Sequence, residues 1–194
     1  MKIGILGGTF DPPHKGHKLV AGIVKKELGL DRIIFIPTKD PPHKVRPKVS
    51  PQHRFFLTRL LVRGKKGFLV SDLEFKRPGK SYTADTVQEL RKLYPQDKLF
   101  WIIGADALLY MPRGWKEGYK ILDKCQFVVV VRPGYSLKSV PGRILQKVII
   151  VKNRARDDIS STEIRRYLKS GKSIKGLLTP QQEIYIKRKH LYKT

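Results

Sequence analysis

Six short apolar runs constrain this chain more than any other feature: Lys2–Leu6, Arg32–Pro37, Phe68–Leu73, Leu99–Ile103, Phe127–Val131 and Val148–Val151. Most are rich in Ile, Val and Phe. They carry apolar residues on both faces, as strands do when both sides of their sheet are covered. Helical patterns with their own punctuation separate them. Ser50-Pro51 supplies an N-cap and a first-turn proline ahead of Arg54–Arg63. Thr83 opens a stretch with Val87, Leu90 and Leu93 or Tyr94 on one face. Ser160 with Glu163, and Thr179 with Gln182, read as capping boxes. Strands alternating with helices imply an α/β chain with a doubly wound parallel sheet and helices on both faces, one domain over residues 1–194. The Pro- and Lys-rich stretch from Pro37 to Pro51 reads as a surface loop beside the strand ends.

In such sheets ligands gather at the carboxyl ends of the strands, near the point where the strand order reverses. The segment after the first strand reads Gly7-Gly8-Thr9-Phe10-Asp11-Pro12-Pro13-His14-Lys15-Gly16-His17. Two glycines let the backbone turn sharply and approach a ligand. The helix that follows, to about Leu28, aims unpaired N–H groups at the same place, which suits an anion. His14 and His17 stand three apart, so on a helical turn their rings face one way and can donate to phosphate oxygens as charge builds there. The segment is neither GxGxxG nor GxxxxGK[ST], which argues against hydride transfer and Walker-type hydrolysis. A zinc site on the two histidines would need a third ligand from Asp11, His43 or His53, and the sequence offers it poorly. Far downstream, Ile159-Ser160-Ser161-Thr162-Glu163-Ile164-Arg165-Arg166 opens a helix whose hydroxyls, N–H groups and arginine suit phosphates.

Composition narrows the setting. The longest apolar runs are strand-sized, too short to span a membrane. The opening run lacks the longer apolar stretch and cleavage site of a signal peptide. Lone Cys125 cannot form an internal disulfide, so the expected location is cytoplasmic. Forty-one Lys and Arg against sixteen Asp and Glu give a net charge of +25. Such a field attracts ATP, mononucleotides, RNA or anionic lipid without choosing among them, and allows incidental nucleic-acid affinity. The oligomeric state stays open, a homodimer included.

The motif G-T-F-D-P-x-H-x-G-H resembles the signature of the HIGH-type nucleotidyltransferase superfamily, and I-S-S-T-x-I-R resembles its second signature. The resemblance implies a Rossmann-like fold and attack on the α-phosphate of a nucleoside triphosphate with release of pyrophosphate. Three further stretches resemble bacterial nicotinate mononucleotide adenylyltransferases: Pro37 to Lys44, Glu74 to Thr86 (close to E-x-x-R-x-G-x-S-Y-T-x-D-T), and Ile103-Gly104-Ala105-Asp106 followed by Trp115. That family implies transfer of AMP from ATP to nicotinate mononucleotide in NAD biosynthesis, with Mg2+ delivered by ATP. It implies catalytic roles for His14 and His17. Gly7, Gly8, Thr9, Phe10, His14, Gly16, His17, Gly104, Asp106, Ile159, Ser160, Ser161 and Arg165 become the expected ATP contacts. Lys44, Tyr82, Thr83, Thr86 and Trp115 become the expected acceptor contacts, with Trp115 stacked on the nicotinate ring and helix-start amides holding its carboxylate. Pro112 and Gly114 break the family's usual spacer and predict a looser loop before Trp115. The alternatives are another acceptor, either nicotinamide mononucleotide or phosphopantetheine, and a non-enzymatic RNA-binding protein. The absence of an aromatic-interleaved basic strand weighs against the last.

Overall fold

The computed structural model describes residues 1–42, 47–153 and 159–193. In chain order the elements are β1 (Lys2–Gly8), α1 (Lys15–Glu27), β2 (Arg32–Pro37), α2 (Pro51–Val62), β3 (Phe68–Val70), α3 (Thr83–Leu93), β4 (Lys98–Gly104), α4 (Ala105–Gly114), β5 (Gln126–Val131), α5 (Gly142–Leu145), β6 (Val148–Lys152), α6 (Ser161–Lys169) and α7 (Pro180–Arg188). The six strands form one parallel sheet in the order β3-β2-β1-β4-β5-β6. The order reverses between β1 and β4, so their carboxyl ends, Gly7-Gly8 and Ile103-Gly104, flank the switch point where such sheets take ligands.

Alternation along the strands builds a core on each face. Ile3, Ile5, Ile34, Ile36, Leu99, Trp101, Ile103, Phe127 and Val129 pack with α3 and α4 on one side. Ile33, Phe35, Ile102, Val128 and Val130 pack with Ala21, Val24, Leu61 and Val62 of α1 and α2 on the other. A third cluster joins Leu57 of α2 to Ile164, Leu178, Ile186, Leu191 and Tyr192, seating α6, α7 and the segment after α7 against α2.

Most expected boundaries agree within a residue or two. β3 is shorter than expected: it ends at Val70, and Leu73 opens a single tight turn, Leu73–Phe75. Ser71 is the cause, because its hydroxyl accepts the Leu73 N–H at 3.2 Å and turns the chain off the sheet. Thr179 and Gln182 form the reciprocal box the sequence predicts. At α6 Ser160 accepts from the Glu163 N–H at 3.1 Å, but the Glu163 carboxylate accepts from Tyr167 and Arg166 instead of reaching back. Pro112 and Gly114 do not loosen the approach to Trp115, contrary to expectation. The helix runs through both, with Leu108 and Met111 buried beneath it and the Trp115 N–H donating to the Met111 carbonyl at 3.2 Å. Gly114 leaves room for the half-exposed Tyr110 ring, which any Cβ there would displace.

Candidate active site

A cleft of about 810 Å3 opens at the switch point, near the upper end for small-molecule sites. Gly7, Gly8, Thr9, Phe10 and His17 form one wall, and Ser161 and Arg165 close that end. Gly104 and Asp106 lie at the centre, and Tyr82, Thr83 and Trp115 line the other end.

The glycine turn is shaped by close packing. A Cβ on Gly7 would lie 2.9 Å from the Trp101 ring, and one on Gly8 would lie 3.1 Å from the Phe10 ring. Phe10 itself adopts φ 50°, a left-handed conformation costly for a bulky residue. Burial between Phe35, at 6.0 Å, and the His17 ring, met edge-on at 5.0 Å, holds it there. At the start of α1 the His14 and His17 rings lie 3.7 Å apart, as their spacing predicts. They are not equivalent. His17 lines the cleft, and its Nδ1 accepts the His14 backbone N–H at 3.2 Å, so the neutral ring carries its proton on Nε2. His14 lies behind it, 4% exposed, against a small void shared with Arg132, Asn153 and Ile159. Burial first, and the Arg132 charge second, push His14 down to about 3. It is therefore a neutral ring at physiological pH.

Gly16 and Ile159 also sit behind the wall: a Cβ on Gly16 would come within 3.1 Å of the His14 ring and 3.6 Å of Ile159. The serines are already engaged. Ser160 caps α6, and the Ser161 hydroxyl donates to the Pro12 carbonyl at 2.8 Å. Of the two arginines, Arg165 lines the cleft and donates to the Asp11 carbonyl at 2.7 Å, whereas Arg166 pairs with Glu163 on the exposed side. Asp106 is the second residue of α4, not its cap, and folds its carboxylate back over Gly104, where a side chain would clash with it.

At the far end Tyr82 precedes α3 and offers no side-chain cap, so the first N–H groups of that helix face a cleft lined by Tyr82, Thr83 and Ala84. Thr86 is fully buried and does not reach the cleft. Its hydroxyl lies between Glu74 Oε1 (2.8 Å) and the Tyr82 carbonyl (3.2 Å) and accepts from Arg77 at 2.7 Å. Trp115 lines the cleft and packs edge-on against Phe127 at 6.3 Å. Lys44 and His43 lie outside the described residues. His53 is held by the Tyr185 hydroxyl at 2.8 Å, and no group of three or more His, Cys, Asp or Glu side chains placed to hold a metal occurs among the described residues.

Among the lining residues to which the sequence assigned no role, three carry charge worth noting: Arg132, Glu74 and Lys116. Arg132 follows the last residue of β5, and a cation directly after a strand end was the available signal. Glu74 is buried in the cleft wall; burial raises it, opposed by hydrogen bonds from Thr86 and Ser81 and by the Arg77 charge. Lys116 lies over the Tyr82 ring at 5.1 Å and pairs with Asp85 at 2.9 Å.

The sequence matches the cytidylyltransferase-like family over residues 5–167. A Thermus thermophilus protein named "Probable nicotinate-nucleotide adenylyltransferase" is 43% identical over 193 residues, covering 100% of both chains. The chain belongs to the nicotinate-nucleotide adenylyltransferase family. Another member, from Oceanobacillus iheyensis and named in the same words, is 41% identical, with 98% of this chain and 96% of its own covered. The family's fold extends further: the solved structure of Plasmodium falciparum nicotinic acid mononucleotide adenylyltransferase complexed with NaAD superposes with a TM-score of 0.83. It covers 98% of this chain and 97% of that one at 22% identity. No helix among the described residues is long and apolar enough to cross a membrane.

Proposed function

We propose that the cleft holds ATP along the glycine turn and nicotinate mononucleotide between the start of α3 and Trp115, and that the chain joins them into deamido-NAD with release of pyrophosphate. One observation carries the reading: the turn with His17 and Arg165 and the uncapped α3 start with Trp115 are opposite ends of one continuous cleft. Triphosphate oxygens suit the first end, where α1 begins and a guanidinium stands ready. A flat ring with a carboxylate suits the second, where an indole and free helix-start N–H groups meet.

In this reading the acceptor's phosphate oxygen attacks the α-phosphorus in line, and the bond to the bridging oxygen of pyrophosphate breaks. The nucleophile is already anionic at neutral pH, so positioning and charge stabilisation supply the catalysis. His17 donates through Nε2 to the α-phosphate and the departing oxygen. His14, neutral and behind it, shapes the turn that presents His17. Arg165 holds the tail of the triphosphate, with Arg132 as a second cation on the same cleft. Asp106 accepts from a ribose hydroxyl. ATP enters as its divalent-cation complex, Mg2+ in this reading, with the phosphates supplying ligands. Lys44 stays an acceptor-phosphate candidate on sequence grounds, and Thr86 acts beneath the α3 start instead of touching the substrate.

The test is pyrophosphate release from ATP with nicotinate mononucleotide, its amide and phosphopantetheine offered separately. Nicotinate mononucleotide should give the highest kcat/KM, and His17→Ala should lower turnover by about 10²-fold. Preference for another acceptor would overturn the substrate assignment. Near-normal turnover in His17→Ala would overturn the mechanism.

A further inference from the structure

The prolines of the glycine turn cannot donate from their nitrogens, yet the carbonyls of Asp11, Pro12 and Pro13 are all captured from the last third of the chain. Arg165 Nη1 donates to the Asp11 carbonyl at 2.7 Å, the Ser161 hydroxyl to Pro12 at 2.8 Å, and Gln182 Nε2 to Pro13 at 2.9 Å. The Lys15 N–H completes the set by donating to the Leu177 carbonyl at 3.0 Å. Gln182 is fully buried and also donates to the Leu57 carbonyl at 3.1 Å, tying the turn to α2 as well as to α7. The strand and helix that flank the turn leave these groups to α6, α7 and the segments around them.

One member of this contact is only half paired. Asp11 is 6% exposed; its Oδ2 accepts the Lys48 N–H at 2.8 Å and lies 4.0 Å from Arg165, while Oδ1 is buried with no hydrogen-bond partner of standard geometry among the described residues. The Tyr192 hydroxyl, 6% exposed overall, is equally buried and equally without one. The two groups interact: after burial, the Asp11 charge is the largest influence raising the phenol, followed by contact of its hydroxyl with the Asp11 side chain, and the Arg54 and Arg165 charges oppose both. Tyr192 reaches this place at φ 64°, after His190 at φ 50°. Two side-chain-bearing residues in the left-handed region within three positions persist only where the surroundings enforce them. Here Leu191 and Tyr192 are buried against α2, α6 and α7, and the Leu191 N–H donates to the Ile186 carbonyl at 3.0 Å.

We infer that Tyr192 is a positioning residue for the triphosphate end of the cleft: its hydroxyl donates to Asp11 Oδ1, fixing the carboxylate that faces Arg165 and so the set of the turn and the guanidinium. The inference rests on the reading that ATP lies along that turn. It extends the site into the segment after α7, beyond both signature motifs.

Tyr192→Phe keeps the ring and removes only the donor. Adenylyl-transfer kinetics with ATP varied at saturating nicotinate mononucleotide should show kcat/KM for ATP about tenfold lower, the scale of a lost hydrogen bond to a charged group. KM for the acceptor should be unchanged, and the melting temperature should stay within a few degrees of the parent. Asp11→Ala should lose at least as much, and adding Tyr192→Phe to it should cost less than twofold more, because the acceptor is already gone. Parent-like ATP kinetics in Tyr192→Phe or in Asp11→Ala would overturn the inference. So would the same tenfold loss on the Asp11→Ala background, or a parallel rise in acceptor KM, either of which marks general loosening. An unaltered chain that makes no pyrophosphate would overturn the functional reading itself, whereas an active one with flat variants would overturn only the role of Tyr192.

Discussion

The two ends of the cleft are held by different kinds of interaction. At the turn end, buried side chains grip backbone carbonyls. Arg54 is wholly buried and donates to Thr9 and Thr38, each at 2.6 Å, and to Lys39 at 3.0 Å, while Gln182, Ser161 and Arg165 take the carbonyls that follow. At the Trp115 end, Thr86 with Glu74 and Arg77 forms a buried network beneath the start of α3, and the wall above it is tied by half-exposed ion pairs: Lys116 with Asp85, and Lys80 with Asp40. Buried polar groups are costly to orphan, whereas exposed pairs contribute little and are screened by salt. A rigid donor wall fixes the reacting phosphorus, and a softer acceptor wall can adjust to the molecule that attacks it.

The largest expected effect lies at the rigid end. Arg54→Met should destabilise the fold by about 3–5 kcal/mol, since it takes the donor from four part-buried carbonyls. Urea unfolding at neutral pH measures this, and a loss below about 1 kcal/mol would break the contrast. The next effect is His14, whose ordinary value of 6.5 falls to about 3 in the folded chain. The unfolded state takes up a proton below about pH 6.5 that the folded state refuses until near pH 3. Stability is therefore present above 6.5 and lost as the pH falls through that window, by about 2 kcal/mol between pH 7 and pH 5. Urea midpoints at those two pH values should show this slope in the parent and lack it in His14→Gln.

The strands and most helices were legible because their signals are periodic and local. β3 was overrun because Ser71 stops it with a hydroxyl, and no period reports that. The spacing of His14 and His17 rightly placed their rings together, but it could not say which ring faces the cleft, since that depends on β5 and Arg132 packing behind α1. Arg54 was legible in principle: it shares a helical stripe with buried Leu57, Thr58, Leu61 and Val62, so a charged residue stood on an apolar face. Its four carbonyl acceptors lie up to 45 residues away, and contacts of that range have no local signature. The same holds for Gln182, which meets Pro13 across 169 residues.

At the softer end Trp115→Ala should raise KM for nicotinate mononucleotide by about tenfold through lost ring contact, leaving KM for ATP within twofold. Initial rates with each substrate varied in turn separate the two. An equal rise in both constants would mean that α4 positions the whole cleft, and the division between its ends would fail.

The smallest effect tests the division most directly. Lys116 lies over Tyr82 and pairs with Asp85 at the mouth of the acceptor end, with both side chains substantially exposed. The Asp85 hydrogen bond and charge raise Lys116 above its usual value, so it stays protonated throughout the neutral range. Removing the ammonium with Lys116→Met should leave the urea midpoint close to the parent's, because water already screens the pair. The kinetic signature should instead be a loss of salt sensitivity. In the parent, raising salt from 0.05 to about 0.5 M shortens the screening length and weakens this tie, so KM for the acceptor should rise about two- to threefold. Lys116→Met should start near that raised value and change less with salt. A parent whose acceptor KM ignores salt would show that the ion pair does not hold this wall, and that the buried Thr86 network and the seat of Trp115 on Phe127 do.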